Sequence, residues 1–136
     1  QGNTVLAPPS QGSGGQGLPG DWTSPSRLLR AWTMQRFAKP AKDAAAGVNL
    51  AAHILNAVDI PLGDIRPGDN TFKESDYTQW ITIKDLKNKV VYFRTYENLM
   101  LRSVDLKKLD VSPGAQKKSM PIQGGSEAVD VTGNLK

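Results

Sequence analysis

Two side chains stand out for the chemistry they could do. Arg27 falls in the first turn of an expected helix, just after a glycine-rich stretch. A guanidinium placed there points at whatever that stretch covers and could stabilise a developing anion or a thiolate. A solvated arginine, or one paired with Asp21, fits the same spacing, and the residues alone leave these readings open. His53 is the single histidine of the chain. It lies among Ala52, Ile54 and Leu55, and a general base there would need a nucleophile or carboxylate close by. The favoured reading is therefore a packed histidine bonded to backbone or to a neighbouring side chain.

Other constellations are thinner. Gly12, Gly14, Gly15 and Gly17 resemble a phosphate loop only in composition, because no strand precedes them and the helix starts several residues later. Gly-x-x-x-x-Gly-Lys-Ser/Thr, His-Glu-x-x-His and Gly-x-Ser-x-Gly do not occur, nor does any Cys/His metal spacing. Trp80, Tyr92, Phe93 and Tyr96 sit on expected strands, with Lys84, Lys87 and Lys89 near a turn. Aromatics and lysines on strands can stack single-stranded nucleic acid. No RNA-binding consensus accompanies them, so half-buried sheet packing is the preferred reading.

The elements that must position these residues can be read next. Residues 1–20 carry no charge and hold six of the 13 glycines and three of the nine prolines. Such a stretch buries too little apolar surface to offset its chain entropy, and reads as a loop. Ser24-Pro25-Ser26 reads as an N-cap followed by proline at the first helical position. The helix would continue to Phe37, with Leu28, Leu29, Trp32 and Arg36 with Phe37 on a core-facing stripe, and end at Lys39-Pro40. A second, Ala-rich helix is expected from about Asp43 to Val58, its apolar face built by Val48, Leu50, Ala51, Ile54, Leu55 and Val58. Residues 63–76, with Arg66-Pro67-Gly68-Asp69-Asn70, read as a surface loop. Three strands follow at 77–83, 90–96 and 99–105, joined by short turns into an antiparallel meander. Past Leu109 the chain is a polar tail, with one short edge segment expected around Met120–Ile122.

The fold class is therefore α+β, with a helix pair set apart from an antiparallel sheet. Three strands under one helical layer are thin, so the sheet is expected to extend into strands supplied from elsewhere. The boundaries drawn are 1–20 for the loop, 21–110 for the folded unit and 111–136 for the tail.

Composition narrows the function classes. The chain has 136 residues, 17 Lys+Arg against 13 Asp+Glu, a net charge of +4 and no Cys. Thiolate metal sites, disulfides and a cysteine nucleophile within these residues are excluded. No apolar run is long enough to span a membrane. A pI near 9.4 is compatible with an acidic ligand without pointing to one. The first residue is Gln1 and no signal-peptide pattern follows it, so the expectation is a processed chain or part of a longer one.

Five blocks then carry a resemblance. They are Gly17-Leu18-Pro19-Gly20-Asp21-Trp22-Thr23-Ser24-Pro25-Ser26-Arg27, Ala52-His53-Ile54-Leu55-Asn56-Ala57-Val58-Asp59-Ile60-Pro61, Tyr77-Thr78-Gln79-Trp80 with Asp85-Leu86-Lys87-Asn88, Tyr92-Phe93-Arg94-Thr95-Tyr96, and Val104-Asp105-Leu106-Lys107-Lys108-Leu109-Asp110. In this order they resemble the C-terminal part of the choloylglycine hydrolase family, which contains bile salt hydrolases and penicillin V acylases. The resemblance implies part of an N-terminal-nucleophile sandwich, two antiparallel sheets between helical layers. It also implies linear-amide hydrolysis by an N-terminal cysteine whose own α-amino group is the base, assisted by an arginine, an aspartate and an asparagine. Those residues precede the matched blocks and have no counterpart here. One family active-site residue does fall within the match. It is the arginine of the Ser-x-Ser-Arg element, which lands on Arg27 and in the family supports the charge on the nucleophile's sulfur. Leu28 stands where the family usually has Phe, a change that affects packing more than chemistry.

These implications make up the expectation. The chain would be the C-terminal segment of such an amidase, inactive alone, with Arg27 as its one catalytic contribution and no cofactor or metal. Its partners would be the missing N-terminal part and a small amide of bile-salt, penicillin V or acyl-homoserine lactone type, not nucleic acid. Homo-oligomers stay open, and a bacterial periplasm is preferred to the cytoplasm. The alternative is a non-catalytic relic or ligand-binding module of the same fold. Alone, the chain should expose the apolar faces that the remainder would cover.

Overall fold

A computed structural model describes residues 15–66, 75–125 and 129–134. Gly12, Gly14, most of the expected N-terminal loop and residues 67–70 of the Arg66–Asn70 turn lie outside the described residues. The order is two helices, α1 (Ser24–Phe37) and α2 (Ala44–Asn56), then three strands, β1 (Trp80–Asp85), β2 (Val90–Thr95) and β3 (Arg102–Asp105). The strands form one antiparallel sheet in the order β1-β2-β3. This is the expected α+β arrangement.

Each helix starts where local chemistry can satisfy its free N–H groups. The Asp43 carboxylate accepts from the Ala46 backbone N–H at 2.8 Å and caps α2. Thr23, not Ser24, precedes α1, and it makes no side-chain cap bond. Asp21, two residues upstream, instead braces the segment that leads into the helix. One of its carboxylate oxygens accepts from the Thr23 N–H at 2.9 Å and the other from the Ser26 hydroxyl at 2.6 Å. α1 ends at Phe37 because Ala38 is already extended, ahead of Lys39-Pro40.

The strand register is set by the turn after β1. Asp85 accepts from the Asn88 backbone N–H and, at 2.7 Å, from the Asn88 side-chain amide. Lys89 closes the turn with φ of 58°, a left-handed conformation that is costly for a residue with a Cβ. Ile81 then faces Arg94, and Ile83 faces Tyr92. β1 begins at Trp80, not at Tyr77, because Thr78 turns its backbone N–H to the Ile60 carbonyl. Similarly β3 begins at Arg102, not at Leu99, because Thr95 and Asn98 bond each other and the Asn98 side chain accepts from the Met100 N–H.

The buried apolar core is small: Ile60, Ile81 and Phe93 among the described residues. The α1 stripe does not reach it. Leu28 is 70% exposed and Phe37 78%, and the residues α1 buries are Ser26 and Arg30. The physical reason is that α2 and β1 face Leu28 and Trp32 only across an open groove and do not close over them, whereas the Pro19–Trp22 turn folds against the other face. α2 holds its apolar residues half-buried against β1. Met120–Ile122 forms no strand, although the Ile122 carbonyl accepts from the Arg102 guanidinium at 2.8 Å. Arg102 in turn lies 4.7 Å from the centroid of the Phe93 ring.

Candidate active-site cleft

The site is built from the turn that precedes α1. Asp21 is drawn to about pKa 2, chiefly by the hydrogen bond from the Ser26 hydroxyl and then by bonds from Thr23. The carboxylate is therefore fully charged and committed to the helix start. It makes no ion pair with Arg27, which removes one of the alternatives open in the sequence. Arg27 donates from Nε to the Trp22 carbonyl at 3.1 Å. Its two terminal nitrogens make no hydrogen bond among the described residues. The side chain is half-buried, so it is not a freely solvated arginine either.

Arg27 lines a polar cleft of about 260 Å³ with Ile60, Asp76, Tyr77, Thr78, Gln79 and Trp80. The opposite wall is held by bonds between distant segments. The Ile60 N–H donates to the Thr78 hydroxyl at 2.9 Å, and the Thr78 N–H returns a bond to the Ile60 carbonyl at 3.1 Å. The Leu62 N–H donates to the Tyr96 hydroxyl, and Tyr96 packs edge-on against Tyr77 with ring centroids 5.0 Å apart. Behind this wall Arg94 is buried, 2.6 Å from Asp59 and 2.8 Å from the Asn56 side-chain oxygen. An anion entering the cleft would meet two unpaired guanidinium nitrogens on a braced frame.

The other sequence candidates fall elsewhere. His53 is exposed, not packed, and lies with Leu18, Met34, Phe37, Leu50 and Ile54 on an open apolar groove of about 670 Å³ between α1 and α2. The expectation of a core histidine fails because α2 buries its opposite side against the sheet. Phe93 is buried and Tyr92 half-buried, whereas Trp80 is exposed at the rim of the Arg27 cleft. Gly15 and Gly17 form a turn before Pro19, with φ of 83° at Gly17. Among the described residues, no group of three or more His, Asp or Glu side chains could hold a metal ion. No helix there is long and apolar enough to cross a membrane. Arg30, Asp59 and Arg94 were not singled out as site residues in the sequence. Asp59 and Arg94 nevertheless fall within recognised blocks, whereas Arg30 lies three residues past the first of them.

Comparisons with known proteins bear on the family and the fold. The model of linear amide C–N hydrolases, choloylglycine hydrolase family, matches residues 1–123. A bile salt hydrolase/transferase of Clostridium perfringens is 34% identical over 108 residues, which cover 79% of this chain and 32% of that protein. Uncharacterized protein A284L of Paramecium bursaria Chlorella virus 1 is 33% identical over 94 residues, covering 65% of this chain and 33% of the relative. The chain thus spans about a third of the length of the curated relatives it matches. The crystal structure of a conjugated bile acid hydrolase from Clostridium perfringens superposes over 96% of this chain and 39% of that one, with a TM-score of 0.72 and 29% identity. A penicillin V acylase from Agrobacterium tumefaciens, at 24% identity and a TM-score of 0.59, shares the fold. With the recognised blocks, the sheet order and the family match in agreement, the chain belongs to the choloylglycine hydrolase family of linear amide C–N hydrolases.

Proposed function

We propose that these residues form the C-terminal segment of a thiol amidase, and that Arg27 is its catalytic contribution. The observation that carries this reading is the state of Arg27. It lines a polar cleft and is anchored through Nε, with no hydrogen bond to either terminal nitrogen among the described residues, at the position of the family's Ser-x-Ser-Arg arginine. A cysteine thiolate from the same enzyme, outside these 136 residues, would attack the amide carbonyl. The amine leaves with a proton from the cysteine's α-ammonium, and water then hydrolyses the thioester. The guanidinium of Arg27 holds the negative sulfur, and so favours the thiolate over the thiol. Since the sequence contains no Cys, the chain on its own runs no such step. The substrate is a small linear amide of bile-salt or penicillin V type, or an acyl-homoserine lactone, and a periplasmic enzyme is preferred.

The test is steady-state hydrolysis of a panel of those three substrate types by the complete protein, beside its R27Q variant. A cysteine amidase blocked by iodoacetamide is expected, with kcat in R27Q lowered about 100-fold or more. No hydrolysis of any panel member, or an R27Q rate equal to wild type, overturns the assignment. The first of these outcomes would favour the non-catalytic module.

A further inference from the structure

We propose that Arg30 is a positioning residue for Arg27. It clamps the turn whose carbonyl aims the Arg27 guanidinium at the cleft. The inference rests on the catalytic reading of Arg27 given above. The two arginines stand three residues apart on α1 and so lie on neighbouring positions of one helix face. They are treated differently. Arg27 is half-buried on a cleft, whereas Arg30 is only 9% exposed. A guanidinium is not buried without partners, because its lost hydration must be replaced.

Arg30 spends its donors on one short turn. Its Nη1 donates to the Pro19 carbonyl and to the Asp21 carbonyl, both at 2.8 Å. Its guanidinium carbon lies 5.4 Å from the centroid of the Trp22 ring, within cation–π range. Its Nη2 is shielded and unpartnered among the described residues. Among the described residues no carboxylate pairs with it, since Asp21 is turned away to Thr23 and Ser26. The turn is thereby held from both ends, by Arg30 at Pro19–Trp22 and by Ser26 at Asp21.

The next bond in the chain is the one that matters for chemistry. The carbonyl of Trp22, the residue Arg30 holds by ring and neighbouring backbone, is the acceptor for Arg27 Nε. If the turn drifts, that acceptor drifts with it, and the terminal nitrogens of Arg27 lose their aim. Lysine could keep the charge over Trp22 but lacks the planar fork of arginine.

The experiment uses the complete protein that carries these residues, with arginine side chains labelled by ¹⁵N, in wild type, R30Q and R30K. The Arg27 Nε–H signal, assigned by its loss in R27Q, should exchange slowly with solvent in wild type. In R30Q its exchange should quicken about 10-fold or more, as expected for loss of a hydrogen bond. Unchanged Arg27 exchange in a folded R30Q overturns the proposal. Should R30Q not fold, R30K is read by the same criterion. Kinetics give a second readout. R30Q should lower kcat about 100-fold, the scale of a misplaced catalytic group, with KM within about threefold. Added to R27Q, it should change kcat by less than about threefold, because a positioning residue has nothing left to position. Full, multiplicative loss in the R27Q background overturns the proposal. If wild type hydrolyses nothing, the amidase reading fails, and the exchange measurement still decides the clamp.

Discussion

Replacing Arg94 by Met should destabilise the protein by about 3 kcal/mol, because the change leaves a part-buried carboxylate without its counter-charge. Arg94 lies across from Ile81 on the sheet face that α2 covers, and its side chain is 7% exposed. Its guanidinium reaches Asp59 at 2.6 Å and the Asn56 side chain at 2.8 Å. These bonds join β2 to the end of α2. Removing one partner of a fully buried pair costs about 3–5 kcal/mol. Asp59 retains 26% exposure, so water recovers part of its solvation and the lower end of that range applies. One Asp59 oxygen has no partner among the described residues, which keeps the loss from being smaller still. Methionine preserves most of the aliphatic stem, so little of the effect is lost packing. The assay is urea unfolding of the complete protein followed by tryptophan fluorescence, with the slope against urea checked for constancy. A double cycle with D59L should return a coupling of about 2 kcal/mol. A cost below about 1 kcal/mol for R94M, at unchanged slope, would refute the claim that this pair ties β2 to α2.

Further expectations concern acid, the turn and the surface. The Asp21 carboxyl is held at about pKa 2, below its ordinary 3.8, so its contribution is complete above pH 4 and is lost as the pH falls toward 2. Carboxyl ¹³C titration should show that value return toward the ordinary one in S26A, and an unmoved midpoint would count against the hydrogen bond as its cause. Lys89→Gly should stabilise by about 0.5–1 kcal/mol in urea unfolding, since glycine adopts the left-handed turn without a Cβ clash. The Lys89 carbonyl still accepts from Leu106 in that variant. Ile81→Ala should cost about 2–4 kcal/mol, because Ile81 is one of three buried apolar residues among those described. The 136 residues expressed alone should bind a hydrophobic dye and self-associate in sedimentation, given the exposure of Leu28, Trp32 and Phe37. A monomeric species with a cooperative melt would contradict that.

Much of this architecture is readable before any coordinates, for reasons that differ by element. The α2 start is legible because Asp43 caps it locally, and the turn at Leu86–Lys89 because Asp85 and Asn88 are three residues apart. The α1 start is off by one residue because Thr23, which makes no side-chain cap bond, stands at the N-cap position where the sequence suggests Ser24. Strand starts slip by three residues where Thr78 bonds back to Ile60 and where Thr95 and Asn98 close a local turn ahead of β3. Periodicity misleads on α1 for a different reason. An apolar stripe at Leu28 and Trp32 says that something covers it, not what, and within the described residues nothing does. The exposed His53 has the same origin. As for the site, the type and place of Arg27 are visible in sequence. Its single Nε anchor and the role of Arg30 are not, because both depend on which backbone carbonyls a folded turn brings within reach.

The most direct test of the account is the denatured mass of the protein isolated from its native source, with and without alkylation of thiols. The account predicts a species heavier than the 14.7 kDa of these residues, or a tightly bound partner chain, that begins with an alkylatable cysteine. A lone 14.7 kDa species that takes up no alkyl group would contradict it.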